Sequence, residues 1–374
     1  MSDNQTVSDA RQTYAEAFDR ELDPLAKYSE KFIALPDPFE YFVSEVIENR
    51  ETITSEDTID VYRWNYDNWR QHMGTTDRHP ACPSVDHVES FIKWERDVRN
   101  NGHRTIRGKL NRLSQALEHW QSESVFPHPA DYNPFELAKE TTDIGTESSK
   151  SYPELDVETL QNEFSRIDNI RSRAIIGLQL KLGLRAGEVC NIKIADTHID
   201  HSEIKEGYPN MGTSPELGDH SNALYIPHDR DGNKSSNPRL LPIDRELRWL
   251  LLRYLMMRPQ VDEPYLFLSR RSYSKLDSQA VNRVWKEEFH PKYSETEEYK
   301  AITSHFGRHW FSSYWKLQAG LEREHVQYMR GDRVQPMDSF GDAIDEYLHP
   351  RYEHIESQVS RKSFSLEVPM KYSL

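Results

Sequence analysis

Few features of this chain belong to a secreted or membrane protein. Its two cysteines, Cys82 and Cys190, stand far apart and show no CxxC or other metal-ligand spacing. That excludes a disulfide framework and a cysteine-based zinc site. Both read as free thiols, and Cys190 as a core residue. No run of 18 apolar residues exists, so nothing reads as a membrane-spanning helix. The opening segment MSDNQTVSDARQTYAEAFDRELDPL is acidic and lacks an apolar stretch, unlike a signal peptide. The expected location is the cytoplasm. Internal repeats and low-complexity tracts are absent. Positive charge is also scarce: 47 Lys and Arg face 62 Asp and Glu, a net charge of -15.

What remains is a polar chain of 374 residues, 36% apolar and 29% charged. That length accommodates two or three domains, each with its own core. The acidity weighs against a nucleic-acid partner, because neutralising phosphates with basic groups drives such binding. Two arrangements reconcile them. The basic residues can gather on one face, or the working solvent can be very salty, since the Debye length shrinks to ~3 Å at molar salt. The acidic surface resembles that of proteins from salt-in halophiles; an ordinary acidic cytoplasmic protein is the alternative.

Residues 1–36 read as a polar N-terminal arm, partly helical around Thr13 to Leu25. From Asp37 the apolar spacing is helical: Phe39, Phe42, Val43 and Val46, then Ile59, Tyr62, Trp64, Tyr66 and Trp69 behind a plausible N-cap at Ser55. SVDHVESFIKWERDVRNNG and HRTIRGKLNRLSQALEHWQSES read as a third and a fourth helix, so residues 37–140 form a helical unit. The fourth helix carries Arg104, Arg107, Lys109 and Arg112, the most basic stretch of an acidic protein. It reads either as a solvated face or as a DNA-contacting one. Residues 141–153 are a Ser/Thr/Gly-rich linker. Residues 154–355 read as helices around one hairpin, LYIPHDRDGNKSSNPRLLPID. His201 to Asn222 reads as a surface insertion, and residues 356–374 as a polar C-terminal tail.

Three strings in the second half carry chemistry: LKLGLRAGEVCNI, SHFGRHWFSS and AIDEYLHP. Cutting a phosphodiester without a metal needs a nucleophile, neutralisation of the non-bridging oxygens and a proton for the departing hydroxyl. Arg185 and Arg308 offer planar, permanently charged forks of donors. Gly183 and Gly187 flank Arg185, and Glu188 lies three residues on, placed to orient it. His305 and Arg308 form an H-x-x-R pair on one helix face. Tyr347 is the candidate nucleophile; its phenol, with a free pKa of about 10, needs neighbouring cations to ionise. Tyr352 is its rival, since each is followed two positions later by a histidine.

The order of these motifs resembles the tyrosine recombinase (phage-type integrase) family. LGLRAGEV matches the family's first arginine box, the H-x-x-R pair supplies its proton-transfer group and second arginine, and the late tyrosine is followed by Leu348 and His349. The helical unit, closed by Asn-Pro-Phe at Asn133 to Phe135, resembles the family's core-binding domain. The resemblance implies a mainly α fold with a small β-hairpin or sheet, in which a helical core-binding domain and an α+β catalytic domain clamp DNA. It also implies a site-specific recombinase that works through a 3′-phosphotyrosyl intermediate, without metal or nucleotide cofactor and without a small-molecule substrate. Four protomers would assemble on double-stranded DNA. The family's hairpin lysine would be Lys234, which reads equally as a flexible tip, with Arg230 as a weaker substitute. One departure stands out: Asp332, in MRGD, occupies the place of a histidine or tryptophan. It would orient Tyr347 or Arg308, or mark a catalytically inactive DNA-binding relative. A topoisomerase-like relaxing enzyme is a further alternative.

Overall fold

The computed structural model describes residues 10, 12–50, 56–145, 150–235, 237–332 and 344–368, and of 344–350 the backbone only. Ser55 lies outside these residues. The chain forms two compact units, residues 1–149 and 150–374.

The first unit is helical: α1 (Ser29–Ile33), α2 (Pro38–Phe42), α3 (Glu56–Met73), α4 (Val85–Asp97), α5 (His103–Ser122) and α6 (Pro134–Thr141). Side-chain caps set several starts. Asp37 accepts from the backbone N–H of Phe39 and Glu40 ahead of a proline at the first helical position, Ser84 makes a capping box with His87, and Asn133 accepts from Phe135 and Glu136. Each satisfies N–H groups that a helix start leaves orphaned. The core is aromatic, with Phe39, Tyr66, Trp69, Phe91 and Trp120 packed edge-on or tilted. It begins earlier than the reading of residues 1–36 as an arm: Leu25 and Phe32 are buried in it.

The second unit is built around α8 (Ile170–Leu182), which is buried nearly all round, as a central helix must be. α7 (Val157–Ser165) precedes it. α11 (Arg245–Met257), α12 (Ser278–Phe289) and α13 (Ser304–Ser313) pack against α8. The short α9 (Ala186–Asn191) follows α8 after a left-handed turn at Gly183. A three-stranded antiparallel sheet, in the order β1 (Thr197–His198), β2 (Ala223–Ile226), β3 (Arg239–Pro242), pairs Ala223 with Pro242 and Ile226 with Arg239. The expected hairpin is thus present, with β1 added at its edge. The segment read as an insertion is packed: it carries α10 (Ser202–Gly207), and Ile204, Tyr208, Met211 and Leu217 are buried.

α14 (Arg323–Arg330) and α15 (Ile344–Lys362) both pack on β3. The residues read as a polar tail continue α15 and then bury Phe364, Leu366 and Val368. A charged clamp holds them. Buried Lys181 pairs with Asp244 at 2.7 Å and Glu246 at 3.0 Å. Glu246 in turn accepts from the backbone N–H of Leu366 and Val368. Among the described residues no helix is long and apolar enough to cross a membrane.

Candidate active site

Arg185 is the residue just before α9. Its backbone N–H donates to Glu188 Oε2 at 2.7 Å, and its Nη1 reaches Glu188 Oε1 at 3.4 Å. Glu188 is buried and also accepts from Arg239 Nη2 at 2.8 Å. Burial alone would raise the Glu188 carboxyl, but Arg239 and the Arg185 backbone hold it below its ordinary value. Arg239 is itself fully buried, and its Nε donates to Met329 O at 2.9 Å. Arg185 therefore stands on a closed Glu188–Arg239 pair that links α9, β3 and α14.

Arg308, on α13, is almost wholly buried. It donates to Gly183 O at 2.7 Å, Arg330 O at 2.8 Å and Asp332 Oδ1 at 2.6 Å. Burial, followed by Arg185 and Arg330, pushes its pKa down to about 9, so the guanidinium stays charged at neutral pH. Arg185 Nη2 donates to the same Asp332 oxygen at 2.8 Å. Arg330 Nε ion-pairs with the other oxygen at 2.8 Å, while its Nη1 donates to Ser312. Gly331 makes this convergence possible. It closes α14 at φ 65, and a Cβ there would meet Arg239 Nη1 at 2.3 Å.

Beside the arginines opens a cleft of about 450 Å³ lined by Arg185, Asn282, Lys286, Ser304, His305 and Arg308. His305 is exposed at its rim. Burial of part of its ring, then Arg308, His309, Arg330 and Arg185, lowers its pKa, so the imidazole is neutral at pH 7 and able to accept a proton.

The structure brings Arg185, Glu188, Arg308 and Asp332 into direct contact and sets His305 beside them. Lys234 is exposed on the β2–β3 loop, and no ion pair reaches it among the described residues. That loop is tied toward α9: Asn191 donates to Asp231 O at 2.7 Å, and a Cβ at Gly187 would strike Gly232 O at 2.5 Å. Arg230 is not available as a substitute proton donor. It pairs with buried Asp196 at 2.6 Å. Tyr347 falls in the first turn of α15, and its side chain and that of His349 lie outside the described residues. Tyr352 fails as a rival nucleophile in this fold: it is fully buried against Leu217, Ala223, Tyr225 and Leu240, with its ring 4.1 Å from His220. Burial and then Glu356 raise its phenol, opposite to what a nucleophile needs.

In the first unit the basic helix divides. Arg104 and Arg107 are exposed, and Arg112 is half-buried, donating to Gly108 O and lying over the Tyr62 ring. Lys109 is a correction. It is buried and pairs with buried Glu95 at 2.6 Å, so it cannot reach a phosphate. Sequence reading also passes over Arg239 and Arg330. Arg330 stands in the very MRGD string that makes Asp332 conspicuous, while an arginine in a hairpin strand gives no sign of burial.

Residues 152–333 match the phage integrase family. The chain is similar to the tyrosine recombinase XerA of Pyrococcus horikoshii, 28% identical over 183 residues, 49% of this chain and 54% of that protein. XerA of Pyrococcus furiosus is 29% identical over 166 residues, 44% of this chain and 47% of that protein. The chain matches only about half the length of these relatives. In fold it is similar to a lambda integrase tetramer bound to a Holliday junction, with TM-score 0.58, 13% identity, 92% of this chain and 91% of that one covered. It is also similar to the Tn1549 transposon integrase in complex with transposon right end DNA, with TM-score 0.56, 14% identity, 81% and 97% covered. The matched residues include both arginines, the H-x-x-R pair and Asp332, while Tyr347 follows them.

Proposed function

We propose that this protein is a site-specific DNA recombinase that cuts and rejoins strands through a 3′-phosphotyrosyl bond. The observation that carries the reading is the convergence of Arg185 and Arg308 on one small anion-sized point, the Asp332 carboxylate oxygen. Two guanidiniums so placed suit a phosphodiester whose non-bridging oxygens gain charge in the transition state. Tyr347 Oη attacks phosphorus and the P–O5′ bond breaks. Neutral His305 takes the phenolic proton, and Lys234 gives one to the leaving 5′-oxygen. Attack by that hydroxyl reverses the step, so rejoining needs no external energy source. No metal or nucleotide enters this scheme.

The first unit serves as the core-binding domain, with Arg104, Arg107 and Arg112 contacting backbone phosphates of double-stranded DNA. Four protomers assemble on two duplexes. The acidic surface fits work at high salt, and adduct yield measured against KCl concentration tests this: a yield highest in dilute buffer would count against it.

A second reading rests on a specific observation, the anionic Asp332 among the arginines. It is a DNA-binding protein that has lost cleavage. Suicide-substrate trapping on DNA from the gene's own flanks separates the two. Cleavage predicts a covalent adduct in the wild type that Tyr347→Phe abolishes while binding persists. Binding without an adduct in either protein favours the inactive relative.

A further inference from the structure

We infer that the Asp332 carboxylate holds the place of the scissile phosphate in the DNA-free protein, and that Arg330 is a third guanidinium of the phosphate site. This deepens the strand-cleavage reading and rests on it.

A carboxylate and a phosphodiester are alike in what these arginines meet: one negative charge shared over two oxygens, each able to accept more than one hydrogen bond. Asp332 uses both oxygens. Oδ1 accepts from Arg185 at 2.8 Å and Arg308 at 2.6 Å, and Oδ2 ion-pairs with Arg330 Nε at 2.8 Å without hydrogen-bond geometry. Three cations therefore converge on one anion, while the other nearby acid, Glu188, is held by buried Arg239. The excess positive charge suits the transition state of strand cleavage, in which the phosphodiester's non-bridging oxygens carry more negative charge than the Asp332 carboxylate does. The carboxylate is also displaceable: its side chain is 26% exposed, and those of Arg185 and Arg330 are 29% and 31% exposed. A buried structural pair such as Lys109–Glu95, at 2% and 0%, has no such opening. Arg330 is fixed from behind by Ser312, so its guanidinium stays aimed at the same point when Asp332 leaves.

The test uses thermal melts of the full chain, wild type and variants, in rising inorganic phosphate against chloride of equal ionic strength. Asp332→Ala leaves three guanidiniums facing one another, so its melting point in chloride falls, and phosphate raises it with the logarithm of concentration. The wild type, with the site filled, responds little. In Arg330→Ala/Asp332→Ala the phosphate concentration for half recovery rises on the order of tenfold, the loss of one of three converging charges. Asp332→Asn, which keeps the shape and drops the charge, gives the same ranking if the alanine variant does not fold. Equal phosphate response in wild type and both Asp332 variants overturns the placeholder. Undiminished rescue in the double variant overturns the role of Arg330. Adduct trapping reads the parent proposal separately. Phosphate rescue without an adduct leaves the site standing and removes cleavage; an adduct without rescue does the reverse.

Discussion

Lys109 in the first unit and Arg308 in the second are both buried cations, and the two differ in the company they keep. Lys109 meets one acid, Glu95, and the pair is sealed from solvent on both sides. Burial is the first influence on the Lys109 ammonium and lowers its pKa against the pull of Glu95. Arg308 shares its one carboxylate with Arg185 and Arg330 and lies beside an open cleft. A closed pair has satisfied its charge and can only stabilise or destabilise the fold. A cationic cluster left in excess at the edge of a cleft keeps attraction in reserve for an anion. Stoichiometry and access separate the structural site from the chemical one here, where burial does not.

The largest effect should come from breaking the second kind of site. Arg308→Ala is expected to lower the rate of covalent adduct formation on a suicide substrate by on the order of 10³-fold, the usual cost of removing one preorganised donor from developing charge. Single-turnover trapping measures it. A loss below about tenfold would mean that Arg308 is chiefly a strut between Gly183 and Arg330, whose carbonyls it holds.

The structural pair should respond in the opposite way. Lys109→Ala strands the buried Glu95 charge and is expected to cost about 3–5 kcal/mol, whereas replacing both by apolar residues of like size is expected to be near neutral. Urea unfolding of the full chain measures both, read on the transition of the first unit. Neither change should alter DNA binding once the protein is folded. Arg104→Ala with Arg107→Ala should do the converse, sparing stability and flattening the salt dependence of duplex affinity by about 0.9 in log–log slope for each phosphate no longer neutralised.

The same contrast separates what is legible in the sequence from what only the fold assembles. Arg185, Glu188 and Arg308 are legible because i,i+3 spacing on a helix fixes which side chains meet, and the structure places them in one cluster. Lys109 is misread when charges are counted along the chain. Five residues beyond Arg104 it lies about 140° around the helix, on the face that packs. Arg239 is illegible, since a strand alternates faces but its sequence does not say that α14 will cover one of them. The packed tail carries a faint signal: Phe364, Leu366 and Val368 alternate with polar residues, yet the Lys181–Glu246 clamp that orders them is brought together only by the fold.

A smaller and sharper effect concerns protonation beside the cluster. The His305 pKa is depressed, by burial first and then by Arg308, His309, Arg330 and Arg185. At subsaturating DNA, which reports the free protein, the rate of adduct formation should hold from neutral pH down past the ordinary histidine value of about 6.5 and fall only below it. His305→Gln should be slower and lack that limb. An acid limb above about 6.5, or one unchanged in the variant, would assign the proton transfer elsewhere.

The smallest expected effect lies at the far end of α14, where His325 stacks on His354 of α15 with ring centroids 4.3 Å apart. Like Lys109 this is a packed, structural contact, and like Arg308 it sets two basic side chains side by side. Burial and then His354 lower the His325 pKa; Arg351 adds to this, while Glu322 and Glu324 oppose it. Because the folded value is depressed, the unfolded chain binds the proton more readily. The stack therefore contributes in full above pH about 6.5 and loses stability as pH falls through that value toward the folded one. Other depressed histidines, among them His72 and His128, add slope of the same sign, so the informative quantity is a difference. Over the range in which histidines titrate, roughly pH 8 down to 5, His354→Ala should start less stable than the wild type and lose stability less steeply as the pH falls. Parallel curves would place the proton-sensitive part of α15 packing elsewhere than in this stack.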